Sequence, residues 1–210
     1  MARDKILHKV RTALGRSAGQ DPHAAPPPRI ALPEMALQAR VDSFVAALEA
    51  LNGKTLVAPG PAEAKEYAAA LASGKRVVAS NAPFLRDCCI TTLPEVRSGF
   101  TAAEDLRDAC AAADLGITSA DYALADTGTL VMLSSPEEAR LISLLPPVHL
   151  AVLPRRRLLS GLDELFTVLP QPSAQTSSMV LITGPSRTAD IEQILVRGVH
   201  GPGSIHVVIV

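Results

Sequence analysis

From Glu34 onward the chain alternates short apolar runs with Ala-rich helical stretches, and this rhythm constrains the fold more than any other feature. Leu37, Val41, Phe44, Val45, Leu48 and Leu51 fall on one helical face, and Asn52-Gly53 marks the end of that helix. Thr55–Ala58 reads as a strand, Pro61–Ser73 as a helix with Pro61 in its first turn, Arg76–Ala79 as a strand and Ala102–Ala113 as a helix. Within Gly116–Leu133, two β-prone runs flank Asp126-Thr127-Gly128, the signature of a hairpin turn. Glu137–Leu145 reads as helix, His149–Leu153 as strand and Leu162–Val168 as a short helix. Met179–Thr183 follows as a buried strand, Thr188–Arg197 as a helix closed by Gly198, and Ile205–Val210 as a last strand. Regular alternation of this kind implies an α/β fold: a mostly parallel sheet flanked by helices, with right-handed crossovers and an inserted β-hairpin. Ile205–Val210 is apolar nearly throughout, the pattern of a strand covered on both faces.

Residues 1–33 have a different character. Within residues 1–16, Arg3, Lys5, Lys9, Arg11 and Arg16 stand against the single acid Asp4, a +4 arm on a chain of net charge −1, so the remaining 194 residues carry −5. Ile6, Leu7, Val10 and Leu14 recur at helical spacing, so the arm reads as a short amphipathic helix docked on its own domain or on a sister copy in a homo-oligomer. Ser17–Pro33, with its Pro26-Pro27-Pro28 run, has linker composition. The α/β domain is therefore expected over residues 34–210.

Composition excludes several functions. Hydrophobic residues make up 48% of the 210, enough for one sizeable core, but aromatics only 3%, with no Trp. That leaves no platform for stacking nucleic-acid bases, and the near-neutral charge gives no general attraction to phosphate backbones. No apolar run approaches the roughly 18 residues of a membrane span. Three cysteines, Cys88, Cys89 and Cys110, make no disulfide framework, suit a reducing cytoplasm and match no zinc or iron–sulfur spacing. No metal site is expected.

Chemistry is expected at two places. The stretch Met179 to Glu192 reads as a strand, a Gly-containing loop and a helix start, the arrangement that binds ligands at the edge of an open α/β sheet. There Gly184, Pro185, Ser186, Arg187 and Thr188 offer backbone N–H groups, hydroxyls and a guanidinium to a small carboxylate or phosphate. The loop lacks the Gly-Lys-Ser/Thr ending of a P-loop and the Gly-x-Gly-x-x-Gly of dinucleotide sites. The second place is Asp126-Thr127-Gly128-Thr129, a tight turn whose carboxylate is a candidate acid or base and whose hydroxyls suit a substrate oxygen. If the strand before it runs parallel to 179–183, the two loops share an edge. A helix over 188–197 carries His200 to the far edge, away from Arg187. His149 and His206 read as packed or capping histidines, Arg155-Arg156-Arg157 as a solvated turn, and no Gly-x-Ser-x-Gly esterase elbow occurs.

Taken in order, Gly116-Ile117-Thr118, Ala120-Asp121-Tyr122, Asp126-Thr127-Gly128-Thr129, Ser143-Leu144-Leu145-Pro146-Pro147-Val148-His149 and Ile182 through Pro202 resemble the lactate-utilisation protein C family of LUD-domain proteins. The family commonly has Glu where this chain has Asp126, which shortens the reach of that carboxylate by one methylene. The resemblance implies a fold like that of the NagB, ribose-5-phosphate isomerase and CoA-transferase group. It also implies a part in oxidising L-lactate to pyruvate beside iron–sulfur subunits. Since this chain has no cluster ligands, flavin signature or nicotinamide fingerprint, no cofactor is expected on it and the iron–sulfur cluster is expected on a partner. Two functions follow: a non-redox accessory subunit with a small-anion pocket, or a sugar-phosphate isomerase or acyl/CoA-transfer enzyme using Asp126 and Arg187.

Overall fold

The computed structural model describes residues 2–17, 35–191, 194–197 and 200–210. Along the chain run α1 (Ala2–Ala13), α2 (Leu37–Ala50), β1 (Lys54–Val57), α3 (Pro61–Ala72), β2 (Val77–Ala79), α4 (Pro83–Asp87), β3 (Val96–Arg97), α5 (Ala103–Ala112) and β4 (Leu115–Ser119). Then come β5 (Tyr122–Leu124), β6 (Thr129–Leu133), α6 (Arg140–Leu144), β7 (Val148–Leu153), β8 (Leu158–Leu159), α7 (Leu162–Val168) and α8 (Pro172–Gln175). The last elements are β9 (Met179–Ile182), β10 (Arg187–Ile191), β11 (Ile194–Arg197) and β12 (Ser204–Ile209).

Six strands form an all-parallel sheet in the order β1-β12-β7-β4-β2-β3. This is the α/β architecture that the alternating pattern predicts. β12 lies between β1 and β7, and its residues face both ways. Ile205, Val207 and Ile209 join a core with Val41, Phe44 and Leu48 of α2, while Val208 joins the opposite core. On that opposite face α3 presents Ala64, Ala68 and Ala72, all fully buried, so a stripe of small side chains lets the helix lie close to the sheet. The helix of residues 37–50 ends with Asn52 in the left-handed region (φ 65°), so Asn52, not Gly53, makes the turn.

The hairpin forms where Asp126-Thr127-Gly128 predicts it, but it does not extend the parallel sheet. It nucleates a second, four-stranded sheet in the order β8-β5-β6-β9, which packs with α2 against one face of the first. Two expectations are corrected here. The 179–182 strand is an edge strand of this mixed second sheet, antiparallel to β6 and with Leu181 exposed, not a buried strand of the parallel one. Residues 187–191 and 194–197 form not a helix but the antiparallel pair β10–β11. Sequence accounts for this: Thr188, Ile191, Ile194 and Val196 are β-branched, and such side chains favour strand over helix. The helix expected over 137–145 is reduced to α6, leaving residues 134–139 as a loop laid over the sheet edge.

The amphipathic arm is helical as its spacing predicts, with Ile6, Val10 and Leu14 exposed. The linker, from residue 18 onward, and the domain start at Glu34 lie outside the described residues. No helix is long and apolar enough to cross a membrane among the described residues.

Candidate functional site

The two loops singled out in the sequence do meet. β6 is antiparallel to both β5 and β9, so β5 and β9 run in the same direction and end at one edge. Thr127 Oγ1 and Thr129 Oγ1 are hydrogen-bonded at 2.8 Å, and Thr129 Oγ1 and Thr183 Oγ1 at 2.8 Å. Both loops rest on the end of α2. Gly128 (φ 65°) approaches so closely that a Cβ would lie 2.5 Å from the Leu48 backbone nitrogen, and Gly184 (φ 82°) faces Leu51.

What these residues do there is largely structural. Thr127 donates to the Asp126 carboxylate at 3.2 Å, and the Arg187 guanidinium donates to the Leu51 carbonyl, completing the end of α2. With β10 in place of a helix there is no helix N-terminus after Pro185, and Pro185 itself is buried. Thr188 begins the hairpin beside Arg187. The hairpin also returns the chain, so His200 is not carried away: Ser186 N–H donates to the Pro202 carbonyl at 2.9 Å, which places the His200–Pro202 turn beside the Ser186 loop. All of this lies at the edge where the parallel strands begin, since Gly203 and Ser204 donate to the Pro147 carbonyl just ahead of β7 and β12.

Ligands of open α/β sheets bind at the other edge, where the strands end. There the structure has a cleft of about 410 Å³, bounded by the residues that follow β2, β4 and β7. Its most unusual group is Glu138, which is 7% exposed. Ser80, the first residue after β2, donates its hydroxyl to Glu138 Oε2 at 2.8 Å, and Ser119 N–H donates to the same oxygen at 3.2 Å. Oε1 has no partner among the described residues. Burial pushes the carboxyl up to about 8, against the pull of those two donors and with a further push from Asp121. The Asp121 carboxyl is itself raised by burial while accepting Leu133 N–H at 2.7 Å. Two carboxyls with pKa values moved by their surroundings, in one cleft, are the usual mark of a functional site.

Arginines surround them. Arg157 donates to the Tyr122 hydroxyl at 2.9 Å and stacks 5.0 Å above its ring. Arg86 donates to the Asn81 carbonyl at 2.7 Å, whereas Arg156, exposed on the turn after β7, makes no hydrogen bond or ion pair with the described residues. Arg156 and Arg157 belong to the triplet that reads in sequence as a solvated turn; their position directly after a strand end was the available signal. Glu138, in Ser135-Pro136-Glu137-Glu138, carried none beyond a helix-start pattern, which its burial overrides.

The other candidate ligands remain apart. His149 Nε2 pairs with Thr118 Oγ1 at 2.7 Å and His206 Nδ1 with the Tyr67 hydroxyl at 2.7 Å, both inside the core, where burial lowers each ring to about 4. Cys88 and Cys110 are buried and Cys89 is exposed. Burial, with help from Asp87, pushes Cys88 up to about 11. Among the described residues no three His, Cys, Asp or Glu side chains converge as a metal site would require.

The LUD-domain family model matches residues 41–210. Lactate utilization protein C of Halalkalibacterium halodurans is 42% identical over 106 residues, 49% of this chain and 46% of that one. The Bacillus subtilis protein of the same name is 39% identical over 94 residues, 43% of this chain and 39% of that one. The chain thus covers less than half the length of these two relatives. The crystal structure of a DUF162-family protein from Deinococcus radiodurans has the same fold, with a TM-score of 0.64 at 16% identity over 84% of this chain and 99% of that one. Matched by the family model across the parallel sheet, the second sheet and both edges, the chain belongs to the LUD-domain family.

Proposed function

We propose that this protein is a non-redox accessory subunit of lactate utilisation, working in the cytoplasm beside iron–sulfur proteins that oxidise L-lactate to pyruvate. The pathway rests on the likeness to lactate utilization protein C. Its molecular part is the holding of a small anion, and the observation that carries this is the buried, proton-retaining Glu138 set among three arginines at the strand-end cleft. The electron-transferring groups sit on the partners. The competing reading, isomerase or acyl-transfer chemistry on Asp126 and Arg187, needs a free carboxylate and a free guanidinium. In this protein those groups are engaged by Thr127 and by the Leu51 carbonyl.

Deletion of the gene tests the pathway: growth on L-lactate should be lost and growth on pyruvate kept. Unimpaired growth on L-lactate refutes the assignment. Oxidation of L-lactate by the purified chain alone, with an artificial electron acceptor, refutes the non-redox role.

A further inference from the structure

Sheet edges that end in water carry devices against pairing with another chain: a charge, a proline, a bulge or a very short strand. Among the described residues, three of the four edges of the two larger sheets have one. β1 carries the exposed Lys54, and β3 and β8 are two residues long, β3 with Arg97. β9 has none. Residues 165–186 contain no Asp, Glu, Lys or Arg in a chain that is 20% charged, and Met179–Thr183 contains neither proline nor glycine. Its pairing with β6 runs without a bulge. No residue of β9 is buried, although Val180 and Ile182 pack against the core between the sheets and Met179 against the cluster around Leu165 of α7.

The unused backbone groups of this edge stand at defined positions. Ser134 N–H donates to the Ser178 carbonyl at 2.9 Å, which makes Ser134 and Ser178 a hydrogen-bonded pair. Such pairs alternate in an antiparallel ladder. The N–H and C=O of Val180 and Ile182 therefore face β6, and those of Met179, Leu181 and Thr183 face outward, where the described residues supply no partner strand. The Leu181 side chain, opposite Val131, is 45% exposed. A second copy of the same edge fits this pattern. Turned about a two-fold axis perpendicular to the sheet at the level of Leu181, it runs antiparallel and keeps each face of the sheet with its like. Leu181 then exchanges both backbone hydrogen bonds with Leu181 of the other copy, Met179 pairs with Thr183, and Val180 lies opposite Ile182. The net charge of −1 puts little repulsion between copies, and the charge-free stretch puts none at the seam.

We propose that β9 is the seam of a homodimer, in which a second copy of this chain joins the two four-stranded sheets edge to edge with Leu181 on the two-fold axis. Met179–Thr183 on each side buries less than a standard interface, so association lies at about the micromolar level and depends on concentration.

Sedimentation velocity of the full chain from about 1 to about 200 μM should show a monomer passing to a dimer. Over the same range hydrogen exchange at the amides of Met179, Leu181 and Thr183 should slow, while that of β1 stays unchanged. Leu181→Lys and Leu181→Glu each set like charges opposite one another across the axis and should weaken dimerisation about tenfold or more. Both should fold, as far-UV circular dichroism checks, because the side chain is nearly half exposed and its backbone groups face away from β6. An equimolar mixture of the two variants should dimerise again, since this register brings position 181 against itself. A chain that stays monomeric throughout the range, a dimer that survives both substitutions, or a mixture that remains monomeric overturns the proposal. If either variant fails to fold, exchange in the unaltered chain decides: three amides that gain no protection with concentration overturn it.

Discussion

Glu138→Gln should stabilise the protein at neutral pH, by an amount that grows with pH. In the unfolded chain the carboxyl ionises at its ordinary value of 4.5, whereas the folded protein holds the proton to about 8. A group whose pKa is raised by folding favours the native state fully below the unfolded value, and that advantage is lost as pH rises towards the folded one. Between those limits the unfolded state sheds a proton that the native state must keep. At pH 7 the interval above 4.5 is 2.5 units, or about 3 kcal/mol at the usual ~1.4 kcal/mol per unit. Glutamine keeps the shape, its amide oxygen can accept from Ser80 and Ser119, and it has no proton to lose. The substitution should therefore gain up to about 3 kcal/mol at neutral pH and nothing below about pH 4. Urea unfolding of both proteins, followed by circular dichroism from about pH 4 to about pH 9, gives the difference directly. The buried histidines titrate alike in both proteins and cancel. A difference that stays flat across this range refutes the reasoning, because it removes the proton from the energetics.

Three further outcomes are expected. His149, with its ring lowered to about 4 by burial, should show no titration of its ring protons above about pH 5 by NMR; a midpoint near its ordinary 6.5 contradicts the buried Thr118 pairing. Its linkage has the opposite sign to that of Glu138, so stability from this source falls as pH drops from 6.5 towards 4. Gly128→Ala should cost about 2 kcal/mol or more in chemical denaturation, since the left-handed backbone and the approach to Leu48 both oppose a Cβ; a loss under about 0.5 kcal/mol would falsify that packing. Deletion of residues 205–210 should abolish the cooperative thermal transition, because it removes the strand that joins β1 to β7; an unchanged melting temperature contradicts this.

Local elements were legible wherever local periodicity decides the matter. The spans of α3, β7 and α7 agree with expectation to within a residue or two, and the turn at Asp126-Thr127-Gly128 forms as its φ preferences demand. Residues 187–197 were not legible by the same reasoning. Acidic residues in an apparent first turn and a glycine at the apparent end imitate helix signals, while β-branched residues support the hairpin. The strand-end rule is sound, but in sequence it points to β9, which belongs to the mixed second sheet rather than the parallel one. Applied to β2, β4 and β7, it points to Ser80, Ser119 and Arg156. Glu138 lay beyond such reasoning, because its burial depends on Ser80 and Ser119, distant in sequence and brought together only when β2 and β4 pair.

The pairing of β1 also sets the order in which the molecule can be completed. Lys54 of β1 pairs with His206 of β12, and among the described residues β1 has no other partner strand. Until β12 is made, β1 therefore has no strand to pair with, although Val41, Phe44 and Leu48 of α2 can already pack against Leu130, Ala151 and Leu158. Contacts so distant in sequence close slowly, and apolar segments waiting for them are the ones that aggregate. β1 is thus the first strand of the parallel sheet to be made and among the last to be paired, and during that interval its backbone waits for a partner.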